Sequence, residues 1–454
     1  MKFKRSMSRR MLSLSALSLT ALVSIGLTMH RTQLEAQSAA PTYAKEVAPI
    51  LYKNCTTCHR DGGIGPFSLL DYDVAKKNVK DIRDAVSTGY MPPWHADAPH
   101  GTFLNDRRLS ADEKQTLLRW IDAGAQKGNL KELPKAPEYA SSWTVGTPDA
   151  VVSMSNEYTV PAEGTIDYQY FQVPTNFTED KWVQALEILP GAREVVHHVL
   201  VYARAPQGAP PTPGVPPVPG AAPNRPVLIQ NAALAPQELP ARANSEIPPP
   251  RGMGALIGTT APGTNVLQFA EGTALKVSAG TILTFQMHYT TQGHVMKDRT
   301  SVGFVFAKSP PTEQILAGQF INGAFMIPAG AKDFEVPSDV GFREAVKVYG
   351  IFPHTHLRGV RWEYKLQQPD GSSAMILNVP RYDFKWQTYY MFATPLEIPA
   401  GAKIVSRAWY DNSTSNKDNP DPTKSVKWGD QTWEEMQYTG ILYSINSRRL
   451  KPAP

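Results

Sequence analysis

Thr281-Ile282-Leu283-Thr284-Phe285-Gln286-Met287-His288-Tyr289-Thr290 is the stretch from which the fold is read. Its apolar residues, Leu283, Phe285, Met287 and Tyr289, alternate with the polar Thr284, Gln286 and His288. Successive side chains of a strand point to opposite faces, so the pattern predicts a strand with one face on a core and a histidine on the other. Arg193 to Tyr202, Ala345 to Phe352 and Lys403 to Tyr410 are also short, rich in Val, Ile, Tyr and Phe, and bounded by Pro/Gly turns. Several such strands with little helix between them predict antiparallel sandwiches.

Upstream the periodicity is helical, over Tyr43 to Tyr52, Val74 to Val86 and Ala111 to Ala123. Ser110-Ala111-Asp112-Glu113 opens the last as a capping box, in which serine and glutamate satisfy each other's exposed amides. A chain of 454 residues exceeds one ordinary core, and domains of ~150 residues are expected. The reading is therefore a multidomain chain. A small all-α domain covers 41–128, a linker 129–145, and two all-β antiparallel, jelly-roll-like sandwiches cover 146–308 and 309–454. Residues 206–250 carry 14 of the 40 prolines, too many to supply ladder amides, and read as a long extended loop interrupting the first sandwich.

Charge is concentrated at one end. The net +5 is accounted for by residues 1–37, which hold Lys2, Lys4, Arg5, Arg9, Arg10 and Arg31 against Glu35. That basic start, the apolar run from Met11 to Met29 and the small residues Ala36 to Ala40 predict a secretory signal peptide. The expectation is a charge-balanced periplasmic or secreted protein with no electrostatic case for nucleic acid, and with a membrane association only if the leader stays uncleaved. Ser8-Arg9-Arg10-Met11-Leu12 is a partial twin-arginine signal, which is discounted in favour of the general secretory reading.

The chain has two cysteines, both in Cys55-Thr56-Thr57-Cys58-His59. Two thiols at this spacing can add to the vinyl groups of one porphyrin while the histidine reaches its iron, so the string reads as covalent attachment of one haem c. A lone disulfide, a redox pair or half a zinc site are the other readings, and no second cysteine pair completes a zinc site. For the opposite axial ligand the choice is Met91 in Tyr90-Met91-Pro92-Pro93-Trp94, with His95 as competitor. The arrangement resembles a class I cytochrome c domain. With both cysteines committed to haem, the sandwiches have no disulfide available.

Five other histidines fall in three groups, His197-His198, His288 and His354-Thr355-His356. His354 and His356, two apart, project from one face of a strand and can chelate one metal. His197 and His198 point to opposite faces of a regular strand, and share a metal only where the strand kinks or one ring turns. His288 lines a polar strand face, and His294 is an alternative third ligand. Taken singly, a strand histidine is more often a hydrogen-bonded core or surface residue, and the His-x-His pair alone reads either way.

The order of these motifs resembles the copper type II monooxygenases, which include the peptidylglycine alpha-hydroxylating and dopamine beta-monooxygenases. The matching strings are Val196-His197-His198-Val199, Gln286-Met287-His288-Tyr289, His354-Thr355-His356 and Trp433-Glu434-Glu435-Met436, within residues 143–445. The resemblance implies two mononuclear coppers, one on His197, His198 and His288, the other on His354, His356 and Met436. Imidazole suits copper in both oxidation states and a thioether favours Cu(I), the form that binds oxygen. Three departures stand out. Phe352 occupies the place of the arginine with which amidating members hold a peptide carboxylate, Tyr438 and Gly440 replace the contacts after the methionine, and the disulfides of the animal enzymes are missing.

The expected activity is hydroxylation of a C–H bond of a small organic substrate with molecular oxygen at the His354, His356 and Met436 copper. Haem would relay electrons from an external donor, ascorbate or a redox protein. The alternatives are a non-enzymatic haem and copper protein that carries electrons or stores metal, and a carbohydrate-binding sandwich with incidental histidines.

Overall fold

The computed structural model describes residues 40–61, 63, 65–139, 143–206, 228–230, 254–260, 266–429, 431–447 and 450. The leader at 1–37 and nearly all of the proline-rich stretch 206–250 lie outside them.

A long sheet forms the spine. Its main path runs, in spatial order, through Ala150–Ser153, Ser301–Phe306, Lys181–Leu189, Thr273–Val277, Glu313–Ile321, Tyr438–Ile445, Val346–His354 and Tyr390–Ile398. One half faces a four-stranded sheet, Gln169–Pro174, Ile282–Tyr289, Val196–Arg204 and Ala255–Thr260, over a core that includes Phe285, Met287 and Phe304. The other half faces a sheet containing Ser373–Val379, Gly359–Gln367, Lys403–Tyr410 and Phe334–Phe342, over a core that includes Trp362, Tyr364 and Tyr443.

Both cores therefore rest on one continuous sheet. The halves join where Thr273–Val277 pairs in parallel with Glu313–Ile321. The strand Tyr438–Ile445 lies between Glu313–Ile321 and Val346–His354, and all eight of its residues are buried. Leu442 packs into the first core and Ile441 and Tyr443 into the second. A strand covered on both faces loses the polar alternation of a half-exposed one. Ile282–Tyr289 departs from its expected pattern for the same reason, since Thr284 and Gln286 on its polar face are buried as well.

The structure corrects the expected class of an all-α cytochrome c domain followed by two separate antiparallel sandwiches. The protein is mostly sheet. The described residues contain only four α-helices, Ala48–Asn54, Tyr72–Lys77, Val79–Thr88 and Ala111–Asp122, of 7, 6, 10 and 12 residues, and no sizeable all-α domain. None is long and apolar enough to cross a membrane.

The physical reason lies in what interrupts and recruits this segment. Asn78 ends one helix and begins the next, its side chain bonding the Val74 carbonyl at 2.8 Å in competition with the helix ladder. Gly89, at φ 72°, ends the third helix with a left-handed cap, and Pro92 and Pro93 prevent its resumption. From there the chain joins the second sandwich, where Trp94, Ala96 and Phe103 enter its core. Main-chain bonds from Leu104 to Met391 and from Ala393 to Thr102 cover the outer strand Tyr390–Ile398 of the long sheet, and one from Asp97 to Asn378 reaches the edge strand Ser373–Val379 of the facing sheet. The capping box does form, with Ser110 accepting from the Glu113 amide at 3.1 Å and Glu113 from the Ser110 amide at 2.9 Å.

Trp94 is expected to act as a core residue of the second sandwich. Trp94→Ala removes its edge-on contact with Tyr390 and its packing on Phe103, and should cost about 3–5 kcal/mol. Thermal unfolding followed by near-ultraviolet circular dichroism checks this, and an unchanged midpoint would show that residues 94–103 are not integral to that core.

Candidate metal centre

Val196–Arg204 and Ile282–Tyr289 are neighbours, with His198 directly opposite His288. The register then shifts between His288 and Tyr289, and Tyr289 pairs with Val196 rather than His197. His197 is the extra residue of a bulge, which removes it from strict alternation. That irregularity is the kink two consecutive histidines need in order to face one ion.

The three rings converge through their Nδ1 atoms. His198 Nδ1 lies 3.1 Å from His197 Nδ1 and 3.3 Å from His288 Nδ1, and one ligand atom from each residue falls within 4.8 Å of the others. Nitrogens about 2.0–2.1 Å from a shared ion in a tetrahedral arrangement stand roughly 3.3 Å apart, so the spacing fits a metal. Tyr168 Oη, 3.4 Å from His198 Nε2, supplies a partner for the opposite side of that ring.

The second group stands at the end of Val346–His354. His354 is its last residue, opposite Tyr438, and His356 falls in the turn that follows. The turn is held by a buried carboxyl group. Glu435 accepts the His356 amide at 2.8 Å and the Arg358 amide at 2.6 Å. Burial pushes the Glu435 carboxyl up to about 8, against the pull of those amides and of the Arg358 guanidinium. The two rings lie edge to face, 5.2 Å apart.

Each ring of this pair has Nδ1 committed. His356 Nδ1 faces the Glu434 carbonyl at 3.2 Å, and a carbonyl only accepts, so the proton is on Nδ1 and the lone pair on Nε2. That Nε2 is buried and has no hydrogen-bond partner. His354 Nδ1 faces Gln387 Oε1 at 2.6 Å, and Gln387 Nε2 in turn reaches the Phe384 carbonyl at 3.1 Å. The Phe384 carbonyl fixes the amide's orientation, so His354 also donates from Nδ1 and keeps its lone pair on Nε2. Imidazoles with one nitrogen anchored and the other free are the usual arrangement of metal ligands. Met436 is half-buried beside the first core, two residues before the register partner of His354, and its carbonyl accepts from Tyr410 at 2.6 Å.

The two groups share one compartment. The Phe384 ring lies 6.0, 5.5 and 5.7 Å from His197, His198 and His288 and 5.9 Å from His356. Tyr168 is 5.2 Å from His288 and 6.4 Å from His356. Burial keeps every ring neutral at pH 7. It lowers His197 to about 4, with help from Lys385, His288 to about 3, with help from His197, and His354 to about 4, and holds His198 and His356 well below the ordinary value. Each neutral ring therefore carries one nitrogen lone pair.

His294 is exposed and bonded to the Gln292 carbonyl at 3.1 Å, and the histidine brought to the trio is His288. Near the N-terminal helices, Cys55 and Cys58 are free and half-buried, and burial pushes Cys55 up to about 12. His59 Nδ1 meets the Phe67 carbonyl at 3.2 Å, which places the proton on Nδ1 and the lone pair on Nε2. Cys58 feels the charges of Arg107, Arg60 and Arg193, and Arg193 lies in the turn four residues before His197. Met91 follows the helix Val79–Thr88, its amide bonded to the Ala85 carbonyl. His95 is buried against the second sandwich, facing Asp383 and Arg381, with its backbone bonded to the Tyr390 hydroxyl.

Sequence reasoning missed Gln387, Phe384, Tyr168 and Glu435. The first three lie in loops without periodicity. Glu435 carried a signal, an acid one residue before the methionine, but nothing local showed which amides it would meet.

No family model matches this chain, and no curated protein does. Among solved structures, a xanthan lyase from Paenibacillus is similar over 68% of this chain and 28% of its own, at 9% identity and a TM-score of 0.17. A two-domain protein of unknown function from Bacteroides fragilis is similar over 64% of this chain and 94% of its own, at 10% identity and a TM-score of 0.16. Likenesses at these scores bear on neither fold nor function.

The depressed histidines make stability pH-dependent without metal. The unfolded chain takes up protons near the ordinary value of 6.5, while the folded rings resist to about 4 for His354 and about 3 for His288. Their contribution is complete above 6.5 and is lost as pH falls toward those values. The thermal midpoint of metal-free protein should drop between pH 7 and 4.5, and drop less in His288→Ala; equal slopes in the two proteins would contradict it.

Proposed function

We propose that this protein is an exported haem- and copper-dependent monooxygenase of the copper type II kind, hydroxylating a C–H bond of a small organic substrate. The observation that carries the reading is the pair of converging donor sets. Three Nδ1 atoms meet at His197, His198 and His288, and His354 and His356 keep free Nε2 atoms beside them. His197, His198 and His288 would hold one copper, and His354, His356 and Met436 the other. An all-nitrogen set suits an ion that cycles between oxidation states, and a set containing a thioether favours Cu(I).

Bound copper would supply one-electron transfer and dioxygen activation. The protein's own part is to hold and to exclude. Glu435 fixes the turn carrying His356, and Gln387 and the Glu434 carbonyl fix the free nitrogens of the pair. Phe384 and Tyr168 keep the compartment apolar. Phe352 is fully buried and stacked on Tyr389 at 5.3 Å, so the place held by an arginine in amidating members offers no cation for a peptide carboxylate. That favours an uncharged, apolar or aromatic substrate.

The balance requires substrate C–H, one O2, two electrons and two protons, giving the alcohol and water. The electrons would come from an external donor, ascorbate or a redox protein, through a haem on Cys55 and Cys58 with His59 as ligand and Met91 opposite. The proximity of Cys58 to Arg193, at the entrance to the His197 strand, supports delivery to the trio first. The burial of His198, His354 and His356 also suits a protein that only carries electrons, and turnover separates the two.

Protein matured in an exporting, haem-attaching host should contain two coppers and one haem per chain. With reductant, labelled oxygen and a panel of small apolar and aromatic compounds, it should give product carrying one labelled oxygen atom. Met436→Ala should abolish product while leaving haem reduction intact. Normal turnover by that variant would remove Met436 from the active copper, and labelled product from no compound would leave the electron-carrier reading.

A further inference from the structure

The loop between Ser373–Val379 and Tyr390–Ile398 reaches both histidine groups, and one of its side chains is hydrogen-bonded to both. Gln387 is 1% exposed. Its Oε1 accepts from His354 Nδ1 at 2.6 Å, and its Nε2 lies 3.4 Å from His198 Nδ1 and 3.1 Å from the Phe384 carbonyl.

The amide cannot be turned over. A carbonyl accepts only, so the Phe384 oxygen requires Nε2 on its side. Two consequences follow. Gln387 forces His354 to donate from Nδ1, which leaves Nε2 as its ligand atom. The second Nε2 hydrogen points to His198 Nδ1, the nitrogen that also meets His197 and His288. Toward the pair the amide prepares a ligand, and toward the trio it occupies a lone pair that an ion would need.

We propose that Gln387 is a positioning residue shared by the two metal groups, orienting His354 for its ion while restraining His198 until an ion displaces the amide. The inference rests on the metal-centre reading above. An ion in the trio takes the His198 lone pair and leaves that N–H without its acceptor. An ion in the pair polarises His354 and strengthens its bond to Oε1, and the polarised amide then donates more strongly to His198. Removing the amide therefore moves the two sites in opposite directions. Loss of simple packing would weaken both.

The probe is copper(I), titrated without oxygen against a competing chelator. A trio-only protein is made by His356→Ala, which keeps the His354 bond to Gln387. A pair-only protein is made by His197→Ala with His288→Ala, which keeps His198. Gln387→Leu should weaken the pair roughly tenfold, the scale for losing an outer partner of a ligand, and should tighten the trio. Gln387→Glu, which can accept from His354 and cannot donate to His198, should restore the pair and leave the trio tight. Weakening of both sites, no change in either, or failure of the glutamate to rescue the pair would overturn the proposal. Unsubstituted protein that binds no stoichiometric copper would instead overturn the metal-centre reading, and this inference with it.

Discussion

Burying an imidazole is costly unless each ring nitrogen finds a partner, and this protein gathers four imidazoles around one phenylalanine, with a fifth, His354, edge to face with His356. The cost is met ring by ring. His356 is anchored by a main-chain carbonyl, His354 by a carboxamide, and His198 by Tyr168 on one side and its neighbours on the other. The remaining nitrogen of His356 is buried without a hydrogen-bond partner, a place that a metal ion would fill. Neutrality follows from the same burial, which penalises the charged form of each ring.

The long sheet brings the two groups together. Two independent sandwiches would leave their separation to a linker, whereas here Tyr438–Ile445 belongs to the same sheet as both halves and contributes to both cores. The loop that carries Phe384 and Gln387 is itself braced. Arg381 bonds the Thr88 carbonyl at 2.8 Å, and Trp386 meets Tyr90 edge to face at 6.1 Å. The N-terminal helices thus bear on the loop that touches both histidine groups, and Cys58 stands near the turn entering the trio. A haem bound there would be mechanically and electrostatically joined to the compartment.

Much of this was legible in the sequence where local chemistry decides it. Alternation placed Phe285 and Met287 inward, and Ser110 and Glu113 marked a helix start. The rest depended on distant residues. Trp94 and Phe103 follow a helical stretch and gave no sign that they would complete a β core. The parallel join at Thr273–Val277 has no pattern of its own. The bulge at His288 and Tyr289 solves the problem posed by adjacent histidines, and arises from pairing with Val196 rather than from a local residue. Gln387 was invisible because its meaning lies in what it faces.

Copper-edge anomalous diffraction from crystals of the copper-loaded protein tests the central claim most directly. Two separate peaks are expected, one bounded by the Nδ1 atoms of His197, His198 and His288, the other by the Nε2 atoms of His354 and His356 with the Met436 sulfur. One peak shared by all five rings, a peak bound through the Nδ1 atoms of His354 or His356, or no peak within the compartment would contradict it.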